Sequence, residues 1–424
     1  MAALRYELVH QDTTSRARLG RVVTPHGVFD TPAFMPVGTQ GTVKGLLPRD
    51  VRATGSQIVL ANTYHLMLRP GSELIAAMGG LQRWTTWGGP MLTDSGGYQV
   101  FSLADLNRID DAGVTFKSHL DGSTIELTPA RSMQVQNELG ADIIMAFDDC
   151  PPAAVDLPHN TDPGIDPRPA YHRRVQLANA RTARWLDACV KAHARPDEQA
   201  LFGIVQGGTD LAARDWCVAA VCGHDLPGFA IGGVAVGEGP DEVKRIVEHT
   251  APLLPADKPR YLMGVGYARD IVAAVRAGVD MFDCVLPTRN GRNATAFTRT
   301  GTVKLRNAVH KDDAGPIEKG CDCFACTGGG SGFGEQGAGA EAMQGMIHPD
   351  PRSLNPAPHP PPFSRSYIRH LFVAGEMLGP ILVSLHNIRY FQRLMLDIRQ
   401  AISHNDWSAL ARQWPEAGLA EMKG

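Results

Sequence analysis

The sequence predicts an α/β fold, a (β/α)8 TIM barrel, from the alternation of two kinds of segment. Short apolar runs rich in Val, Ile, Phe or Met, each too short for a helix, recur at 31–37, 57–62, 90–95, 142–149, 200–206, 228–233, 260–264 and 281–285. Segments with helical periodicity separate most of them, at 128–139, 171–193, 209–222, 240–249 and 268–277. Strands alternating with helices in this way favour a closed parallel barrel over a doubly wound sheet. A chain of 424 residues, 43% of them apolar, is long enough to bury one such core.

Beyond the eighth run the pattern changes. Residues 327–339 hold seven glycines and residues 349–362 hold seven prolines, so 327–362 reads as a flexible insertion. From Ser364 to Ser403 helical texture returns, with Leu371, Met377, Leu378, Leu382, Leu385 and Ile388 available for an apolar face. The expected organisation is a barrel over 1–310, a subdomain inserted after the eighth strand with closing helices over 311–404, and a tail over 405–424.

A net charge of -3 argues against a polybasic coat, so any nucleic-acid contact must be local. Met1 to Gly20 has no apolar stretch of the kind a signal peptide needs, and no apolar run approaches the roughly 18–20 residues that span a bilayer. A cytoplasmic protein without membrane contact is expected. Eight cysteines are too sparse for a disulfide scaffold. Cys189, Cys217, Cys222 and Cys284 read as packing residues; Cys150 stands apart because Asp148 and Asp149 precede it.

Barrel chemistry sits at the C-terminal ends of the strands, where the following loops build a pocket. Asp94 and Ser95 end the third run, Asp148 and Asp149 the fourth, Gln206 the fifth, Gly232 and Gly233 the sixth, and Met263 and Gly264 the seventh. Asp283 lies inside the eighth, among Met281, Phe282, Cys284 and Val285, where an ionised carboxylate is costly without a purpose. A lone strand-end Asp serves equally well as a helix cap. Asp94, Asp148 and Asp283 converging on one rim with an amide point instead to an active site.

Cys321, Cys323 and Cys326 form Cys-x-Cys-x-x-Cys, three thiolates at metal spacing. Zinc wants a fourth ligand; His386 is the choice, with His348, His359 and His370 as competitors. No open position or nearby general base is evident, so one structural Zn2+ is expected. From Arg289 to Lys311 run six Lys or Arg residues and no acid. They are either a solvated face or a grip on a polyanion's phosphates, with Arg289 and Arg292 nearest the eighth run. Gly264-Val-Gly266 is a weak phosphate-loop pattern, because Arg269 stands where a third glycine is needed.

Several motifs together resemble one family. They are Leu92-Thr-Asp94-Ser-Gly-Gly-Tyr-Gln-Val-Phe-Ser, Phe147-Asp148-Asp-Cys150, Gly203-Ile-Val-Gln206-Gly-Gly, Gly232-Gly-Val-Ala-Val-Gly-Glu238, Tyr261-Leu-Met-Gly-Val-Gly and Asp280-Met-Phe-Asp283-Cys-Val-Leu-Pro-Thr-Arg289. With the cysteine set, they are similar to tRNA-guanine transglycosylase from about Tyr6 to Trp407. The resemblance implies exchange of guanine 34 in tRNAs with a GUN anticodon for the deazaguanine preQ1, within queuosine biosynthesis. It implies Asp283 as nucleophile on ribose C1′ and Asp94 as general acid and base. Asp148 would accept from the base's N1–H and amino group, and Gln206 with the Gly233 N–H would meet its carbonyl. Tyr98 and Met263 would sandwich the base, with Ser95 and Gly232 in the same pocket. Glu238 would orient the peptide around Val234, whose carbonyl can meet an aminomethyl group.

Cys150 and Val236 resemble the pocket of bacterial, preQ1-using members. Gly266-Tyr-Ala-Arg-Asp270 and Trp185-Leu-Asp-Ala-Cys189 resemble the animal members, which take queuine. The family implies a homodimer, or a heterodimer with a non-catalytic paralogue. The insertion after Cys326 and the stretch from Ala153 to Pro169 depart from its pattern. Two readings compete. One is a non-catalytic, zinc-containing tRNA-binding subunit. The other is a barrel glycoside hydrolase, which predicts sugar-binding aromatics; among six Trp only Trp84 and Trp87 pair near a motif.

Overall fold

The computed structural model describes residues 3–98, 107–151, 168–328 and 362–419. It divides into two compact units, one of Met1–Lys44, Ser56–Val285 and Leu394–Gly424, the other of Gly45–Gly55 and Leu286–Arg393.

The first unit is an eight-stranded parallel barrel. Its strands are β1 (Ala33–Pro36), β2 (Val59–Ala61), β3 (Met91–Thr93), β4 (Ile143–Met145), β5 (Ala200–Val205), β6 (Gly228–Ile231), β7 (Arg260–Leu262) and β8 (Met281–Cys284). The pairing order is β1-β8-β7-β6-β5-β4-β3-β2, and a parallel bridge between Val37 and Leu60 brings the two ends together. Each of the eight apolar runs therefore holds one strand. Parallel strands covered on both faces have no solvent side, which is why the runs are continuously apolar rather than alternating. Met35, Leu60, Leu92, Met145, Phe202, Ile204, Tyr261 and Met281 belong to one buried cluster.

Helices ring the strands. Pro129–Leu139 packs on Arg168–Ala192, that on Leu211–Cys222, that on Pro240–Thr250, and that on Ala268–Arg276. Local chemistry sets their ends: Thr128 caps the first by accepting from the Arg131 N–H, Pro129 opens it, and Gly140 closes it in the left-handed region. Asp210 caps the third in the same way. Among the described residues no helix is long and apolar enough to cross a membrane.

An antiparallel ribbon of Arg5–Gln11, Arg18–Thr24 and Gly27–Thr31 precedes the barrel, and a second small sheet, Asn107–Ile109, Val114–Lys117 and Thr124–Leu127, follows β3. The ribbon joins the core through Val22 and Phe29. It also grips the residues that precede β4 and β8: the His26 N–H donates to Asp142 at 3.1 Å, and Arg18 pairs with the fully buried Asp280. The N-terminal mouth of the barrel is thus filled. Chemistry is left to the opposite rim.

In the second unit a hairpin, Thr295–Thr298 with Gly301–Lys304, packs with helix Arg365–Ala374 and the first part of helix Leu378–His404. The hairpin runs through the basic segment. Of the expected apolar face, Leu371, Leu382, Leu385 and Ile388 are buried, whereas Met377 and Leu378 point outward. The two lie at the turn between the helices, so helical periodicity does not govern them. The glycine- and proline-rich stretch, His348, His359 and the extension after Ala153 lie outside the described residues, apart from Pro362, Thr327, Gly328 and the end from Arg168 onward.

Candidate active site and metal centre

Asp94 directly follows β3 and is buried. The Thr63 N–H donates to its Oδ1 at 2.7 Å and the Asn62 amide donates to its Oδ2. Thr63 also anchors the backbone, its hydroxyl donating to the Asp94 carbonyl at 2.5 Å. Asn62 stands immediately beyond β2, on the same rim. The strand-end rule that selected Asp94 could have selected Asn62 as well.

Two adjacent carboxylates after β4 have opposite surroundings. Asp149 is fully buried and meets Arg174 at 2.5 and 3.0 Å and Arg181 at 2.5 Å. Among the described residues Asp148 has no such cation. Its Oδ1 accepts from Ser95 at 3.3 Å and its Oδ2 from Gln206 Nε2 at 2.6 Å. Burial, with the Asp149 charge adding to it against those hydrogen bonds, pushes the Asp148 pKa up to about 7. Asp149 is a structural ion pair, and Asp148 is poised to gain or lose a proton near neutrality. Beside them Cys150 is held as a thiol, its pKa raised to about 12 by burial and the two carboxylates.

Gln206 directly follows β5 and faces the turn that follows β6. Its Oε1 is buried without a hydrogen-bond partner among the described residues. A Cβ at Gly233 would lie 2.1 Å from that oxygen and one at Gly232 2.8 Å from the amide nitrogen, so a side chain at either position would displace the Gln206 amide. Further along the turn, Glu238 accepts from the Ala235 N–H at 2.6 Å and the Val236 N–H at 3.0 Å. Because a trans peptide points its N–H and C=O in opposite directions, holding the Ala235 N–H turns the Val234 carbonyl away from Glu238.

Asp283 in β8 is partly buried. The Tyr261 hydroxyl donates to its Oδ1 at 2.6 Å and the Gly264 N–H to the same oxygen at 2.8 Å. Burial raises its pKa, and these two donors oppose the rise. Oδ2 takes no hydrogen bond among the described residues and is the free oxygen. Tyr261 is held as a neutral donor, well above its ordinary pKa, by burial, then by the Asp283 charge and also by that of Asp94. Sequence reasoning gave Tyr261 no role, because it reads as one more apolar strand residue. Met263 follows β7 and is partly buried, and Tyr98 is half exposed. Trp87 is buried with its indole N–H on the Pro90 carbonyl, so it offers no sugar platform.

The second unit brings Cys321, Cys323, Cys326 and His386 together, their ligand atoms all within 4.8 Å of one another, as a group that can hold a metal ion. His386 Nδ1 lies 3.6, 3.4 and 3.5 Å from the three sulfurs in that order. Its Nε2 donates to the Phe297 carbonyl at 2.7 Å, which fixes the tautomer that leaves Nδ1 free as a ligand. His370 is not in the group. In the same unit Arg289 is exposed, while Arg292 is half-buried with its Nη1 unpartnered among the described residues. Burial, then the Arg289 charge, lowers the Arg292 pKa. Such a guanidinium gains from an anion.

The family model described as Queuine tRNA-ribosyltransferase matches residues 12–330 and 357–418. Its interruption falls within the glycine- and proline-rich insertion. A queuine tRNA-ribosyltransferase of Thermus thermophilus is 49% identical over 399 residues, covering 94% of this chain and 91% of the relative. One from Symbiobacterium thermophilum is 47% identical over 425 residues, covering 99% and 94%. One from Synechococcus elongatus is 46% identical over 402 residues, covering 95% and 92%. With the barrel, the carboxylate rim and the Cys3His group already in place, these matches show that the chain belongs to the queuine tRNA-ribosyltransferase family, a family of enzymes.

Proposed function

We propose that the protein is a tRNA-guanine transglycosylase that replaces guanine 34 of tRNAs with a GUN anticodon by preQ1. The observation that carries the reading is Asp283, with one oxygen held by two donors and the other free beside a rim of base-reading groups. Asp283 Oδ2 forms a bond to ribose C1′ as the C1′–N9 bond breaks, and the electron pair leaves with guanine. Asp94 supplies a proton to the departing base. It recovers one from the incoming base, whose ring nitrogen then attacks C1′ and breaks the C1′–O bond to Asp283. Two inversions restore the configuration.

Asp148, ionised, accepts from the base's N1–H and amino group. Gln206 uses the second proton on Nε2, and Gly233 its N–H, to meet the carbonyl. Ser95 and Gly232 shape that edge, and Tyr98 and Met263 sandwich a base extruded from the anticodon stack. The Val234 carbonyl, turned by Glu238, suits the cationic aminomethyl group of preQ1. Val236 is half-buried beside it, and with Cys150 it favours the compact preQ1 over queuine, the second reading. Labelled guanine entering a GUN-anticodon tRNA, then chased by preQ1, queuine or preQ0, tests this. Release by preQ1 first is expected; no exchange above background would leave the non-catalytic subunit reading in its place.

The metal is zinc on this reading. Zn–S near about 2.3 Å and Zn–N near about 2.0–2.1 Å in a tetrahedron place sulfur and nitrogen about 3.5 Å apart, against 3.4–3.6 Å here. With all four positions filled by protein, the ion is structural. Arg289 and Arg292 grip tRNA phosphates. The active form is a homodimer, supported by the exposure of Val309, Val373 and Met377 in the second unit; a heterodimer with a non-catalytic paralogue is its alternative. Retention of Asp283 makes this chain the catalytic partner in either. The proposed compartment is the cytoplasm, where such tRNAs work.

A further inference from the structure

A cation sits at 0% exposure on the helix that follows β5: Arg214. It makes no ion pair among the described residues. Instead its guanidinium donates to four backbone carbonyls, from Nε to Gly208 at 2.9 Å, from Nη1 to Val205 at 3.2 Å and Gly232 at 2.7 Å, and from Nη2 to Gly233 at 3.0 Å. Two of these carbonyls lie on either side of Gln206, at Val205 ending β5 and at Gly208 on the following loop, and two belong to the turn after β6. Burying a guanidinium this way is expensive, and burial lowers its pKa to about 10. The chain also makes room for it. A Cβ at Gly207 would lie 2.8 Å from the Arg214 backbone nitrogen and 3.0 Å from its Cδ.

We propose that Arg214 is a positioning residue that aims the Gly233 N–H at the carbonyl edge of the bound base. The Gly232 carbonyl and the Gly233 N–H belong to one planar trans peptide, so drawing the carbonyl to Arg214 turns the N–H the opposite way, toward Cys150. The Gly233 carbonyl fixes the Val234 N–H by the same argument. Glu238 completes the arrangement from the far side, taking the Ala235 and Val236 N–H groups. The turn is stretched between a cation that holds its carbonyls and an anion that holds its amides. Gly233 has a φ of +62°, and the fixed charges hold that backbone in place. Only a planar fork with five donors satisfies four carbonyls at once; a lysine ammonium has three donors and no such plane.

This inference rests on the proposed base-reading role of the site, and its test separates the two. Binding of guanine, 6-thioguanine and hypoxanthine is measured on the full-length wild type and on Arg214→Lys. Thioguanine weakens the acceptor that Gly233 meets and keeps the N1–H and amino group; hypoxanthine lacks the amino group that Asp148 meets. Wild type should prefer guanine over both. In Arg214→Lys the guanine-to-thioguanine preference should fall about tenfold, the worth of one hydrogen bond, while the guanine-to-hypoxanthine preference stays within about twofold. A general loosening of the pocket would erode both ratios together and overturn the proposal, as would both ratios unchanged. No preference in wild type would instead overturn the reading of the site. If Arg214→Lys does not fold, Arg214→Gln is read in the same way; if neither folds, the arginine is scaffold and the proposal fails.

Discussion

Replacing Asp148 by Asn should stabilise the fold while disabling the site. The folded protein holds the Asp148 proton up to about 7, whereas an unperturbed aspartate releases it near 3.8. Stability contributed by the protonated acid is present at low pH and lost as pH rises through that window, because the unfolded chain gives up its proton first. Asn does not titrate and escapes the loss. Each pKa unit is worth about 1.4 kcal/mol, so the advantage of the Asn variant should grow by about 2 kcal/mol between about pH 5.5 and about pH 8. Asn also fits the site: Gln206 can still donate to its oxygen, and Ser95 can accept from its amide. Yet Asn presents a donor where the base's N1–H needs an acceptor, and loss of a charge-assisted pair should lower kcat/KM by about 100-fold or more. Urea unfolding at the two pH values and guanine-exchange kinetics read both effects. An Asn variant whose stability advantage does not change with pH would refute the placement of a carboxylic acid that titrates near neutrality.

Three further outcomes follow from the same geometry. Cys323→Ser should drop zinc from one per chain to a small fraction and destabilise the second unit by several kcal/mol; elemental analysis showing unchanged zinc would remove that ligand. Replacing Arg289 and Arg292 together should reduce the slope of log Kd against log salt for tRNA by about 1–2, whereas an unchanged slope would return them to a solvated face. Val236→Gly should shift the preQ1-to-queuine preference toward queuine by about tenfold, about the worth of one or two methylenes' discrimination, in a competition for incorporation; no shift would place the excluding wall elsewhere.

Every barrel strand was legible because a parallel strand buried on both faces must be apolar throughout. The same rule overestimated their lengths. The run 142–149 holds a strand of only Ile143–Met145, since Ala146 and Phe147 are buried in the loop that carries Asp148. Apolarity reports burial, not pairing. The ribbon over Arg5–Thr31 and the sheet over Asn107–Leu127 were not legible, because their strands carry polar residues on a solvent side and pair only locally, so they form no continuous apolar run.

Within the site, carboxylates at strand ends could be read, because an acid there needs a reason. Tyr261 could not, being one more buried strand residue until its hydroxyl reaches Asp283. Nor could Arg214, which on a helix reads as a solvent-facing charge until its carbonyl partners are known. The separate fates of Asp148 and Asp149 depend on Arg174 and Arg181, contributed by a helix more than 20 residues away in sequence.

Exchange by this route requires Asp283 to become covalently joined to ribose C1′. Incubating the full-length protein with a GUN-anticodon tRNA and an excess of a base that cannot complete the exchange, then denaturing, tests it most directly. Wild type should give a denaturant-resistant protein–tRNA adduct that is absent in Asp283→Asn, with tRNA affinity within about threefold of wild type because the phosphate grip is untouched. An adduct that persists in Asp283→Asn would contradict it and place the nucleophile on another residue.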